Sequence, residues 1–172
     1  MPPDTATMGQ GLMSLPRMRL SLLEKSNLID ATQWANEYSF PQVKRLAEFM
    51  DVYRVPKETL LFYEGDKQVY MVLIATGRVH VVKFDSKRIP KRITTLGAGK
   101  TIGEMSLIDG EPRSASAVTA TDATLLVMTA IQFESLLKEW PRIGTALILK
   151  IAKLMSQYLR QTSGRLIDHV NN

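Results

Sequence analysis

The sequence predicts a mainly β fold with flanking helices: an antiparallel β jelly roll, or double-stranded β-helix, with N-terminal helices and a long C-terminal helix. Residues 51–128 alternate apolar and polar side chains in short runs. Turn-forming residues separate these runs at short and even intervals, which is typical of a sandwich or barrel. Apolar residues at helical spacing precede and follow this region.

The N-terminal part is predicted to hold a leader and then helices. Residues 1–17 are rich in Pro, Thr, Met and Gly and have no periodicity, so we expect a mobile leader there. Residues 18–50 are predicted to be helical, because apolar residues recur every three or four positions from Leu20 to Met50. Pro41 interrupts this pattern and predicts a short helix up to Met50, because a first turn does not need its amide.

Short apolar runs predict the strands of the central region. The clearest runs cover 59–63, 69–74, 78–82, 92–96 and 124–128. Corners are expected at 64–66, 76–77, 97–99 and 109–110, where Gly, Asp and Thr concentrate.

Two helices are predicted after the strands. The first covers Ile131 to Glu139, and Pro141 begins a longer one that runs to about Ile167. The long helix carries two apolar stripes, more than one contact needs. One stripe is expected to cover the barrel and the other a second helix; the stripes are Ile143, Leu147, Ile151, Leu154 and Tyr158, and Ile148, Ala152, Met155 and Leu159.

Composition excludes several classes of site. The 172 residues contain no cysteine, so disulfides, thiolate metal sites and cysteine nucleophiles are absent. No run approaches the eighteen or so apolar residues of a membrane span. We therefore expect a soluble, cytoplasmic protein with no membrane partner.

The sequence offers little support for an enzymatic function. A metal-dependent β-barrel enzyme needs several imidazoles, but the chain has only His80 and His169, far apart in sequence. No catalytic triad or nucleophile elbow can be assembled. We expect no enzymatic activity, no metal and no cofactor, with His80 facing solvent between two valines and His169 in the tail.

Basic residues concentrate at one expected hairpin. Lys83, Lys87, Arg88, Lys91 and Arg92 lie within ten positions, in a chain of net charge +5. A solvated hairpin tip is the first interpretation, and a patch that meets an acidic partner is the alternative. Nucleic acid is a weaker alternative, because Phe84 is the one aromatic residue among these cations.

Residues 102–117 place one carboxylate and one guanidinium, nine positions apart, among apolar and small residues. The Glu104 carboxylate suits a ribose hydroxyl, and the Arg113 fork suits the two oxygens of a phosphodiester. Gly103 and Gly110 allow close turns, and the small residues after Arg113 leave amides open to an anion. The alternative is an ordinary ion pair that ties a loop to the barrel.

The run Gly-Glu-Met-Ser-Leu followed by Pro-Arg-Ser-Ala resembles the phosphate-binding cassette of the cyclic nucleotide-binding domain family. The resemblance implies that Glu104 holds the ribose hydroxyl and that Arg113 clamps the cyclic phosphate. It extends over the strands and assigns 51–172 to a cyclic nucleotide-binding β-roll with C-terminal helices. The cassette residues predicted to bind ligand are Gly103, Glu104, Met105, Ser106, Arg113, Ser114 and Ala115.

Four further ligand contacts are implied by the same resemblance. Val81 and Leu96 lie in strands that family members place against the base and sugar; the alternative is plain core. Thr162 and Ser163 resemble the polar pair with which bacterial members recognise the purine. The alternative is that Thr162 and Ser163 are ordinary surface polar residues near a helix end before Gly164.

The resemblance also implies assembly and output. In this family the equivalent long helix often pairs with its copy, so we expect a homodimer; the alternative is packing against the chain's own N-terminal segment. Because the chain stops at Asn172 without a helix-turn-helix, no direct DNA binding is expected. The signal then passes to an unknown effector protein.

The predicted function is a stand-alone sensor of a 3′,5′-cyclic purine mononucleotide, cAMP favoured over cGMP, that signals by moving its terminal helices. One alternative is an interaction scaffold that retains the barrel and binds no nucleotide. Another is a cyclic dinucleotide receptor, since Arg88 and Arg92 lie four positions apart.

Overall fold

Two antiparallel sheets and five α-helices make up the part of the chain that the structure, a computed structural model, describes: residues 11–170, with side chains for 11–164. The helices are α1 (Leu22–Asp30), α2 (Phe40–Glu48), α3 (Glu104–Asp109), α4 (Ala130–Glu139) and α5 (Pro141–Val170). The strands are β1 (Asp51–Val55), β2 (Leu60–Phe62), β3 (Tyr70–Thr76), β4 (Val79–Phe84), β5 (Pro90–Leu96), β6 (Thr101–Ile102), β7 (Ser116–Thr119) and β8 (Ala123–Thr129).

Each sheet has four strands, in the orders β1-β8-β3-β6 and β2-β7-β4-β5. Strands from opposite ends of the region are neighbours, as in β1 with β8 and β2 with β7. The facing sides of the two sheets enclose one apolar core, which includes Leu61, Val72, Ile74, Leu125 and Val127. The predicted mainly β roll with flanking helices is confirmed.

A second apolar core lies between one sheet and the helices. Along β3, Val72 and Ile74 point into the barrel, whereas Met71 and Leu73 pack against the helices. This strand is therefore buried on both faces, which explains its unbroken apolar run. The helical side of this core includes Val43 and Leu46 of α2, Phe133 and Leu136 of α4, and Ile143, Leu147 and Ile151 of α5.

Polar side chains fix the start of the first helix. The Ser21 hydroxyl accepts a hydrogen bond from the Glu24 amide at 3.2 Å, and the Glu24 carboxylate accepts one from the Ser21 amide at 2.7 Å. This capping box satisfies amides that the helix itself leaves unpaired. Equivalent boxes begin α2 and α4.

Residues 11–17, expected to belong to a mobile leader, pack on the barrel instead. Leu12 is fully buried in the barrel core. Arg17 Nη1 lies 3.1 Å from Asp51 Oδ2, and the Met18 amide donates to the Val52 carbonyl at 2.8 Å. The leader interpretation is wrong for these seven residues, because Leu12 finds an apolar site that only the folded barrel creates. Residues 1–10 lie outside the described part of the chain.

The long helix α5 changes character along its length. Ile143, Leu147 and Ile151 are buried, whereas Tyr158 is 37% exposed and Leu159 is 69% exposed. The helix runs to Val170, three residues beyond the predicted end. Its first half is therefore held by the core, and its second half extends past it. Across the described residues, no helix has the length and apolar character needed to cross a membrane.

Candidate functional site

A left-handed glycine joins β6 to the short helix α3. Gly103 has φ +80°, and a Cβ at this position would lie 2.8 Å from the Tyr70 carbonyl oxygen and would also clash with the Arg113 guanidinium. Only glycine fits here without displacing these groups. The sequence indicated a turn at this position but not the six-residue helix that follows it.

The backbone of Arg113 is fixed by the turn after β2. Its amide donates to the Asp66 carbonyl at 2.9 Å, and its carbonyl accepts from the Gly65 amide at 2.8 Å. A further hydrogen bond closes the turn itself: the Tyr63 amide donates to the side-chain oxygen Oδ2 of Asp66 at 2.7 Å. Two segments that are nearly fifty residues apart in sequence thus hold the arginine in register.

The Arg113 guanidinium packs against two aromatic rings. Its Cζ is 4.2 Å from the ring centroid of Phe62 and 4.3 Å from that of Tyr70. The Tyr70 hydroxyl donates to the Leu61 carbonyl at 2.8 Å, which fixes one ring. Arg113 Nη1 donates to the Gly103 carbonyl at 3.0 Å. Two ring contacts and one hydrogen bond therefore fix the orientation of the fork.

Both charged groups of the cassette are buried with unused hydrogen-bonding atoms. Glu104 is 4% exposed and Arg113 is 3% exposed. Glu104 Oε2 and Arg113 Nε and Nη2 have no hydrogen-bond partner. Among the described residues, neither side chain takes part in an ion pair. The contact that a loop-tying ion pair requires is thus not observed. Buried polar atoms without a partner in the protein are rare, which makes this pair of groups a candidate binding site.

The pKa values of the two groups reflect this burial. Burial raises the pKa of Glu104, against the lowering effects of a backbone hydrogen bond and the Arg113 charge. Burial lowers the pKa of Arg113, against the raising effects of Tyr70, Asp66 and Glu104. Because each charge influences the other, the carboxylate and the guanidinium lie in one electrostatic environment.

The remaining cassette residues surround these two charges. Ser106 is buried, Ala115 is half-buried, and Met105 and Ser114 are exposed. The Ser114 hydroxyl lies 3.9 Å from the Met105 sulfur, which brings the two ends of the cassette together. The structure therefore gathers all seven predicted cassette residues at one place.

Val81 and Leu96 lie on the inner face of the second sheet. Both are half-buried and pack against the barrel core. On the opposite face, His80 Nδ1 lies 2.8 Å from the Thr95 hydroxyl. Burial, then Arg92 and Arg78, lower the pKa of His80. Within the described residues, no group of three or more His, Asp or Glu side chains is placed to hold a metal ion. The side chain of His169 lies outside those described.

Thr162 and Ser163 lie within α5 rather than near its end. The helix continues past Gly164 to Val170, so the expected helix end was placed too early. Their hydroxyls donate to the carbonyls of Tyr158 and Leu159, each at 2.9 Å. Both side chains are exposed on the second half of α5.

Three aromatic residues of the site were not predicted from the sequence. Phe62 and Tyr70 enclose Arg113, and the available signal was their position on either side of the 64–66 turn. Tyr158 was assigned only to an apolar stripe of α5. Burial, and then the charge of Glu104, raise the pKa of Tyr158, so its hydroxyl lies within electrostatic reach of the cassette.

Comparison with known proteins places this geometry in a family. Residues 52–139, just over half of the chain, match the family model of the cyclic nucleotide-binding domain. The chain is 32% identical over 106 residues to the cyclic AMP receptor protein of Thermus thermophilus, which covers 62% of this chain and 47% of that protein. It is 37% identical over 90 residues to a cyclic nucleotide-gated potassium channel of Rhizobium etli, which covers 52% of this chain and 24% of the channel.

Solved structures agree with this match. A cyclic nucleotide-binding domain from Methylobacillus flagellatus superimposes with a TM-score of 0.77 at 29% identity, covering 95% of this chain and 94% of that one. The catabolite activator protein of Thermus thermophilus gives a TM-score of 0.68 at 27% identity, covering 77% of this chain and 61% of that one. The chain spans less than half the length of the two curated relatives described above.

Replacement of Glu104 by Gln is expected to stabilise the nucleotide-free protein by about 1 kcal/mol near neutral pH, because it removes a buried carboxylate with an unpaired oxygen. The pKa of Glu104 is higher in the folded than in the unfolded protein. Its favourable contribution is therefore complete below the unfolded pKa and is lost as the pH rises through the folded pKa. Chemical unfolding at several pH values measures this, and the gain should shrink towards acidic pH.

Glu134→Gln, at an exposed carboxylate on α4, is the matched control and should change stability little. A Glu104→Gln protein that is less stable than the parent at neutral pH, with the control unchanged, would contradict the interpretation of Glu104 as a destabilising, ligand-ready group.

Proposed function

The chain belongs to the cyclic nucleotide-binding domain family, and from this premise we propose that it is a sensor of a 3′,5′-cyclic purine mononucleotide, with cAMP favoured over cGMP. One observation carries the proposal: the buried Arg113 presents two N–H groups, on Nε and Nη2, that have no partner. Nε and Nη2 form one edge of the planar guanidinium, which is the geometry that binds two oxygens of one phosphate.

Each cassette residue then has a defined role. The Nε and Nη2 edge of Arg113 donates to the phosphate oxygens, while Nη1 stays on the Gly103 carbonyl. Glu104 Oε2 accepts a hydrogen bond from a ribose hydroxyl, a bond that is stronger when the carboxylate is ionised. Small side chains at Ser114 and Ala115 leave their amides open to the anion. Thr162 and Ser163 are proposed to recognise the purine, with Val81 and Leu96 against the sugar and base.

The names of relatives support a cyclic purine nucleotide and favour cAMP. Besides the Thermus receptor, the cAMP-dependent protein kinase regulatory subunit of Candida albicans is 27% identical over 129 residues. The cGMP-dependent protein kinase of Plasmodium berghei is 29% identical over 115 residues, so a cGMP relative is also present. Arg88 and Arg92, the basis of the cyclic dinucleotide alternative, are exposed residues of the β4–β5 hairpin.

Titration calorimetry with cAMP and cGMP tests this function. We expect binding of cAMP in preference to cGMP, and a loss of about 100-fold in affinity for Arg113→Ala, because it removes the partner of a buried phosphate. Arg113→Lys retains the charge but loses the fork, and should also bind weakly.

Arg142→Ala, an exposed arginine of α5, is the matched control and should bind as the parent does. If the parent protein gives no binding heat with either nucleotide, the proposal is overturned and the nucleotide-free scaffold is favoured. Binding of a cyclic dinucleotide alone would overturn it in favour of the dinucleotide receptor.

We further propose that binding is transmitted by movement of α5. Lys150 of α5 connects to the 3₁₀ turn Gln33–Glu37: its Nζ lies 3.1 Å from Glu37 Oε1 and over the rings of Trp34 and Tyr38 at 5.4 and 5.7 Å. A cavity of about 240 Å³ adjoins this contact, between the turn, the β5–β6 loop and α5. The second half of α5 has room to shift there, and the charge of Glu104 in the cassette contributes to the raised pKa of Tyr158 on this half.

Hydrogen exchange measured with and without nucleotide tests the movement. Lys150→Met keeps the stem but loses the ion pair and the cation–ring contacts, so amides of 33–37 and of the second half of α5 should exchange faster than in the parent. Lys153, whose Nζ is 4.0 Å from Glu37, gives the control Lys153→Met with a smaller effect. If nucleotide leaves exchange in α5 unchanged in a protein that binds it, helix movement is not the output.

A homodimer through α5 is the proposed assembly. Ile148, Leu149 and Leu159 are 36%, 57% and 69% exposed, and the first and last belong to the second apolar stripe of this helix. Helices with an apolar stripe on the surface gain stability when a second copy covers it.

Sedimentation velocity tests the dimer. The parent should sediment as a dimer, and Leu159→Glu should shift it towards the monomer, because a charge would be buried at the interface. Gln161→Glu adds the same charge at another exposed position of α5 and serves as the control. A parent protein that is monomeric at micromolar concentration, with and without cAMP, would rule out this assembly.

A further inference from the structure

Positive charge is concentrated in one hairpin of the barrel. Residues 83–93, which we call the basic hairpin, contain five basic residues and one acidic residue and so carry +4 of the net +5 of the chain. The rest of the sequence is close to neutral. The basic residues of the hairpin are Lys83, Lys87, Arg88, Lys91 and Arg92.

The basic hairpin projects beyond its sheet. Strand β4 pairs with β7 only as far as Val82, which lies opposite Ser116. Beyond Val82, Lys83 and Phe84 pair with β5 alone. Strand β5 is an edge strand, and its residues 90–95 are all exposed. The end of the hairpin is thus a two-stranded projection with solvent on several sides.

Large apolar side chains are exposed among these cations. Phe84, Ile89 and Ile93 are 39%, 47% and 53% exposed. Phe84 lies opposite Pro90 in the ladder, and a register shift after Val81 falls beside Ile93. The projection thus exposes three large apolar side chains close to its cations, distributed over its two strands.

Most of the cations in the basic hairpin are available to a partner. Among the described residues, Lys83 is the one basic residue of the hairpin with an ion pair, 3.8 Å from Glu64. The single acid, Asp85, serves the turn instead: its Oδ1 accepts from the amides of Lys87 and Ile89, each at 2.9 Å. The local field of the hairpin is therefore positive and is not neutralised from within.

We propose that the basic hairpin docks on an anionic lipid surface. Cations would lie at the headgroups, while Phe84, Ile89 and Ile93 enter the boundary with the acyl chains. Charge complementarity alone would also admit nucleic acid, but phosphate contacts would leave these apolar side chains exposed. The sequence led us to expect no membrane partner, and the proposal departs from that expectation for surface contact.

Vesicle sedimentation with the full chain tests the docking. The parent should bind vesicles of phosphatidylcholine with phosphatidylglycerol, should not bind phosphatidylcholine alone, and should be released by salt. Lys87→Glu with Arg88→Glu should lower the partition coefficient about tenfold or more. Ile89→Ser should weaken binding while keeping every charge, and circular dichroism checks that each variant is folded.

Lys138→Glu with Arg142→Glu makes the same charge change at exposed positions outside the hairpin and should retain most of the binding. Failure of the parent to bind anionic vesicles at low salt would overturn the proposal, as would equal losses in the hairpin and control variants. Binding to a DNA duplex with no vesicle binding would overturn it in favour of nucleic acid. The nucleotide affinity of these variants is measured separately, so the result does not depend on the cassette.

Discussion

The site depends on a guanidinium that the fold buries before any anion arrives. Arg113 leaves water with two donors unpaired, and each buried unpaired group costs about 1–3 kcal/mol. The contacts with Phe62 and Tyr70 contribute about 2 kcal/mol each when desolvated. These terms are of similar size, so the arginine is held in place without being satisfied. A phosphate that reaches the two donors gains hydrogen bonds whose desolvation cost folding has already met, which is the physical content of preorganisation.

The position of this arginine explains the architecture around it. Phe62 belongs to β2 of one sheet and Tyr70 to β3 of the other, so the two rings meet where the sheets join. The Gly65 and Asp66 backbone bonds fix the main chain of Arg113 at the same junction. A glycine is required at 103 because the guanidinium and the Tyr70 carbonyl occupy the space of a side chain. Closure of the barrel and formation of the site are therefore one event, and damage to either should disturb the other.

Features that depend on local sequence could be predicted, whereas features that depend on contacts between distant segments could not. The cassette charges, the turns and α4 were predictable, because each depends on residues close together in the chain. Packing of Leu12 in the barrel core and the enclosure of Arg113 by Phe62 and Tyr70 were not, because they join segments about fifty residues apart. The six residues of α3 are too few for a periodic signal. The predicted end of α5, at about Ile167, falls three residues short of Val170, because the last turn of a helix gives a weak signal in sequence.

The two halves of α5 are packed unequally, and this limits which part of the helix could respond to a ligand in the site. The first half of the helix is anchored in the core by Ile143, Leu147 and Ile151. Moving it would cost the free energy gained by burying these side chains. Beyond them the helix has few buried contacts, so alternative positions of its second half differ little in energy. A ligand shifts that balance only through contacts that differ between the positions. Tyr158 belongs to this half, and burial and then the charge of Glu104 raise its pKa. Coupling between two sites is typically about 1–3 kcal/mol, so the proposed movement requires only a few contacts that differ between the positions of the helix.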